Sequence, residues 1–139
     1  TEIYTLSLHD ALPISGHHRH GEYIVSNSEI FGLNRSDINI ISNVVRYHRR
    51  TPPSPAHVNY ISLPREDRIT VMKLSAILRV ADALDRNHTG RMYDARFEKN
   101  GDRLIIRSAR NLDFSLERLS LADKGDLFED VFGLSPIIV

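Results

Sequence analysis

The sequence predicts a mainly helical protein with a small α+β segment at its C-terminal end, in the order β-β-α-β. Three observations carry this. Apolar residues recur at spacings of three and four in two stretches, Asp37 to His48 and Asp67 to Asn87. Thr51-Pro52-Pro53-Ser54-Pro55 separates those stretches and cannot continue a helix, because proline lacks a donor and restricts the residue before it. Asn100-Gly101-Asp102 then stands between two short runs, Ala95 to Glu98 and Arg103 to Ser108, and marks a hairpin.

Each element follows from local chemistry. His17 to Asn27 reads as a short helix with Tyr23 and Ile24 inward, preceded by Ser15 as N-cap. Ser28 to Leu33, with Gly32, reads as a loop. Ser36 can cap the second helix, and Asp37 suits its positive end. Ile38, Ile41, Val45 and His48 lie on one face of it. A loop follows to Pro64. The helix from Asp67 is apolar nearly all round, which predicts burial on all sides. Ser75, Arg79, Asp82 and Arg86 form one polar stripe along it, and His88-Thr89-Gly90 ends it. Leu116 to Phe132 reads as one helix with Leu119, Leu127, Phe128 and Val131 inward, weakened at Gly125 and capped by Gly133. Pro136 to Val139 reads as a last strand joining the hairpin. The segments divide as 15–92, helical, and 93–139, α+β.

Composition bounds the function. The 139 residues are 41% hydrophobic and 26% charged, enough for a packed core. Lys+Arg and Asp+Glu are 18 each, so this is not a domain basic overall, the usual form of a binder of duplex nucleic acid. With no cysteine, disulfides, thiolate metal sites and cysteine nucleophiles are excluded. The longest apolar runs fall far short of the ~20 residues that span a bilayer. No secretory leader is legible, so the expected location is the cytoplasm. No Gly-rich phosphate loop, GxSxG elbow or paired-carboxylate run is present.

Thr1 to Ile14, TEIYTLSLHDALPI, is read apart from the rest. DNA that encodes it resembles a standard short-read sequencing adapter along its whole length, so it is expected to be non-native; the alternative is a natural strand or helix lead-in. The dyad His9-Asp10 inside it is not read as chemistry.

Three clusters could carry chemistry: His17-His18-Arg19-His20, then Arg46-Tyr47-His48-Arg49-Arg50, and Asp82 with Asp85 on the long helix. Imidazoles and a carboxylate brought together by the fold could hold a divalent metal. The plain alternatives are a solvated histidine run, a core histidine at His48, and an ion pair of Asp82 with Arg79 or Arg86. Arg19, Arg46, Arg49 and Arg50 suggest a polyanionic ligand, since guanidinium groups fork onto phosphate oxygens. A solvated helix end explains Arg49 and Arg50 as well. His57 and His88 are expected to carry no chemistry.

The strings SGHHRHGEYIVSNSEIFGL, IISNVVRYHRR, DRITVMKLSAILRVADALDRNH and LADKGDLFEDVFGL, in this order, resemble the C-terminal half of the Ppx/GppA exopolyphosphatases. The resemblance runs from Ser15 to Val139. It implies an HD-type helical bundle followed by a sheet-bearing segment. HD domains bind divalent metal through histidines, a His-Asp dyad and a late aspartate. By position, the late aspartate falls on Asp82, the histidine of the RYH string on His48, and the leading histidines on His17 and His18, with His20 in the same string. The dyad belongs upstream of Ser15, about nine residues before it; His9-Asp10 stands six before and is out of register. The resemblance therefore implies a partial metal site, filled by Mg or Mn in the parent protein, and no catalytic residue in this piece. It implies a parent that hydrolyses phosphoanhydride bonds of polyphosphate or guanosine pentaphosphate in an actin-like N-terminal part. This piece would contribute polyphosphate binding, at Arg19, Arg46, Arg49 and Arg50, and homodimer formation. The alternatives are an independent HD-type metal phosphohydrolase acting on nucleotides, and a binding and dimerisation module with no enzymatic role.

Overall fold

The computed structural model describes residues 17–49 and 51–139, with the side chains of His17 and His18 outside the description. Among the described residues, six helices and a three-stranded sheet follow the predicted order, mainly helical first and then the small α+β segment. The helices are α1 (His17–Ser26), α2 (Arg35–Tyr47), α3 (Val58–Ile61), α4 (Arg65–Leu84), α5 (Ser115–Lys124) and α6 (Asp126–Phe132). The strands are β1 (Arg96–Asn100), β2 (Arg103–Arg107) and β3 (Ser135–Ile138). The adapter-like stretch, Ser15 and Arg50 lie outside the described residues.

The cap of α2 is Asn34, not Ser36. Asn34 Oδ1 accepts from the Asp37 amide, and the Asp37 carboxylate accepts from the Asn34 amide, so two orphan donors are satisfied reciprocally. Ser36 instead donates to Asp67 Oδ2 at 3.0 Å, tying the start of α2 to the start of α4. Between the prolines and α4, the expected loop contains the single turn α3.

Three helices turn a different face inward from the one their apolar residues suggest. In α1, Glu22 is buried, while Tyr23 and Ile24 are exposed. Long α4 is not buried all round: Val71, Ser75, Ala76, Arg79, Val80 and Ala83 face inward, and Ile69, Leu74, Ile77 and Leu78 stay exposed. In α5, Glu117, Ser120 and Leu121 are buried and Leu119 is exposed. In each case a charged side chain with a dedicated partner sits on the inward face. A buried charge needs that partner, whereas an exposed aliphatic side chain is tolerated singly.

The expected helix over Leu116–Phe132 is two helices, α5 and α6, that meet at Gly125. A Cβ there would lie 2.8 Å from the Leu121 carbonyl oxygen and 2.9 Å from Pro136 Cγ. Glycine lets the α5–α6 junction approach β3 this closely. Gly133 ends α6 in the left-handed conformation at φ 66°, which favours glycine.

The sheet order is β1-β2-β3. β1 and β2 are antiparallel, with Asn100 opposite Arg103 across the Gly101-Asp102 turn. β3 lies parallel to β2, with Ile106 opposite Ile138. The second half of α4, through Ala76, Val80 and Ala83, packs in one core with Ile106, Phe128 and Ile138. A smaller core joins Val44 and Tyr47 of α2 to Leu63 and Val71. One helix, α4, thus serves both the helical part and the α+β segment.

Candidate functional site

Two neighbourhoods gather the predicted residues, both at the C-terminal end of α2. The first lies between α1, α2 and α3. Glu22, 5% exposed, accepts from Arg46 Nη1 at 3.0 Å and from Asn59 Nδ2 at 2.7 Å. Arg46 is therefore in an ion pair with a buried carboxylate, and one of its donors is already in use. Beside this pair, Tyr47 is fully buried; its hydroxyl is 2.8 Å from His57 Nδ1 and its ring stacks on the His57 ring at 5.5 Å. Burial, reinforced by the negative charge of Glu22, pushes the Tyr47 hydroxyl up to about 12, with Arg46 opposing. Tyr47 is thus a neutral donor at ordinary pH. His57 is pushed below its usual value by burial first, and also by the charges of Arg46 and Arg19, with Glu22 opposing. A neutral His57 can accept the Tyr47 proton in a hydrogen bond. His57, expected to be idle, is a structural partner of Tyr47. Nothing in its local sequence signals this, since the partner lies ten residues upstream across the prolines.

The second neighbourhood lies between α2, α4 and α5. His48 Nδ1 is 2.6 Å from the Val45 carbonyl oxygen, which leaves Nε2 for other contacts. Burial lowers its pKa, as do the charges of Arg49 and Lys124, while the Val45 carbonyl and Asp82 raise it. Asp82 thus lies close enough to His48 for its charge to be felt there. The Asp82 carboxylate is bonded to Lys124 Nζ, and both side chains are largely covered. His48 thus feels the charges of Asp82 and of the Lys124 bound to it, a cation whose pairing is not legible in sequence. The signals for Lys124 were its place in the last turn of α5 and the Gly125 after it. Its partner, forty-two residues away, was not legible.

The other predicted residues are placed as follows. Arg19 and His20 are exposed on α1. Arg49 is exposed just after α2. His17 and His18 are helical, with side chains outside the description, and Arg50 lies outside the described residues. Among the described residues, no three His, Asp or Glu side chains come together as a metal-ligating set. The Asp82 charge is met by Lys124, so the described residues do not fit a divalent ion as they stand.

Against known families, the chain matches the model of Ppx/GppA phosphatase, domain III, over residues 7–124. The chain belongs to the Ppx/GppA phosphatase family. The matched span takes in both neighbourhoods and α5 with Lys124, and it opens inside the stretch read above as adapter-derived. No curated protein matches the chain. Among the described residues of this Ppx/GppA domain, no helix is long and apolar enough to cross a membrane.

The raised Tyr47 pKa gives a pH dependence with a definite sign. Its folded value lies above the unfolded value near 10, so the unfolded chain loses this proton first as pH rises. Stability from the buried hydroxyl is complete below about pH 10 and falls between about 10 and 12. In Tyr47→Phe, thermal melts across this range should show a shallower fall than in the parent chain. An unchanged slope would contradict the assignment.

Proposed function

We propose that the chain is the C-terminal, HD-like part of an exopolyphosphatase or guanosine pentaphosphatase. Its task is to hold the phosphate polymer and to join subunits, while the phosphoanhydride bond is cleaved elsewhere in the protein. The family match is the observation that carries this reading.

The arginines take different parts in this reading. Arg46, paired with Glu22, fixes α1 against α2 and adds charge to the neighbourhood rather than an open fork. Arg19, exposed on α1, and Arg49, exposed just after α2, make the phosphate contacts. Arg50 extends the same run. Repeated charge contacts of this kind are the natural way to bind a polymer with one charge per unit.

Lys124 completes the reading of the metal locus. We propose that its ammonium supplies the positive charge that a divalent ion supplies in a working HD site, so that His48 and Asp82, with His17 and His18 in sequence, are a remnant. No reaction step is assigned to a metal here. With Mn²⁺ added, the parent chain's melting temperature should not change. In Lys124→Met, which removes the ammonium and keeps an aliphatic stem, Mn²⁺ should raise the melting temperature, and His48→Gln in that background should abolish the rise. A rise already present in the parent chain would contradict an internal cation.

The binding role is tested by titrating the chain with polyphosphate at low and high salt. Binding should weaken as salt rises, the sign of charge contacts. Arg19→Ala and Arg49→Ala should each weaken it about fivefold, the equivalent of about 1 kcal/mol. No binding at low salt, or phosphate released by the chain alone, would overturn the reading.

A further inference from the structure

β1 is the edge of the sheet. Among the described residues it pairs with β2 only, and all five of its residues are exposed. An open edge presents main-chain donors and acceptors to any strand that can reach them. The hairpin register says which ones. Asn100 and Arg103 flank the two-residue turn and form a hydrogen-bonded pair, so bonded pairs alternate down the hairpin: Asn100, Glu98 and Arg96 point their backbone groups at β2. Phe97 and Lys99 point theirs outward.

That alternation limits how a second copy can pair. Two identical edges meet antiparallel about a twofold axis, with outward residues opposite outward residues. Centring the axis on Arg96, Glu98 or Lys99 sets that residue against its own copy, a like-charge pair. Centring it on Phe97 sets Phe97 against Phe97 and sets Arg96 against the second copy's Glu98, twice. Only this register within β1 pairs opposite charges.

Two further observations fit it. Within its own hairpin Arg96 stands directly opposite Arg107, a repulsive cross-strand pair, and Glu98 reaches Arg107 only at 4.0 Å. A second Glu98 would stand beside Arg96 and relieve that repulsion. Phe97 is 56% exposed although it lies on the sheet face of Ile106, the core-facing side. A second Phe97 across the edge would extend that apolar face.

We propose that two copies of the chain join through β1, antiparallel about Phe97, into one six-stranded sheet. The proposal rests on the reading above for the claim that copies pair, and adds where they do. Because Arg96 and Glu98 are exposed, their exchange should leave the fold intact, which circular dichroism checks. The oligomeric state of the 139-residue chain is then measured by sedimentation over a concentration series. Arg96→Glu sets glutamate against Glu98, and Glu98→Arg sets arginine against Arg96. Each should raise the dimer dissociation constant about tenfold. The double exchange, Arg96→Glu with Glu98→Arg, should restore it. A dimer unchanged in all four proteins would overturn the β1 proposal and leave the joining role standing on another surface. A parent chain that stays monomeric would overturn both.

Discussion

Arg79 is the constraint on which the two halves of the chain depend. Its side chain is 1% exposed, and a guanidinium keeps its charge in the interior. Nε donates to the Tyr47 carbonyl oxygen at 2.9 Å, at the end of α2. Nη1 meets Asp126 at 3.2 Å, at the start of α6. One side chain from the second half of α4 therefore ties the helical part to the α+β segment. The Tyr47 carbonyl is among the last of α2, where helical carbonyls lack intrahelical partners, so the bond also satisfies a helix end. Removing Asp126 would leave the Arg79 charge buried without its carboxylate, whereas Asp126 itself, 69% exposed, keeps its water when Arg79 is removed.

The same logic recurs in the other helices. Glu22 with Arg46, Glu117 with Arg91, and Asp82 with Lys124 each place a charged side chain on an inward face beside its partner. These pairs decide how α1, α4 and α5 are rolled about their axes. Apolar periodicity decides less, which is why Tyr23, Ile24, Leu74 and Leu119 lie outside. Much of the fold was nevertheless legible in sequence. The prolines, Asn100-Gly101-Asp102 and Gly133 act within a few residues, so the breaks, the hairpin and the end of α6 could be read directly. The rolling of the helices could not, because each pair joins residues far apart in the chain, as Glu117 does with Arg91 of the preceding turn. The split at Gly125 was underestimated for a related reason: its cause is close approach to Pro136, a tertiary contact.

The candidate site was legible in part by the same rule. His48 and Asp82 could be named from their strings and lie within electrostatic reach of each other. Lys124 could not be assigned to Asp82, nor His57 to Tyr47, because only the packing of α5 on α4, and of the proline segment on α2, brings them together. Arg46 was read in sequence as a phosphate contact, and its pairing with Glu22, twenty-four residues upstream, was not legible there. Around His48, then, the described residues include an internal charge pair, Asp82 with Lys124.

By bonding to the end of α2 and the start of α6 at once, Arg79 should make α2, α4 and the α+β segment one cooperative unit. Native-state hydrogen exchange tests it most directly, comparing the amides of Val44 in α2, Val80 in α4 and Ile106 in β2. The three should exchange with one opening free energy, and Arg79→Met should lower it equally at all three. An opening energy at Ile106 that is separate from that at Val44, and untouched by the substitution, would contradict the account.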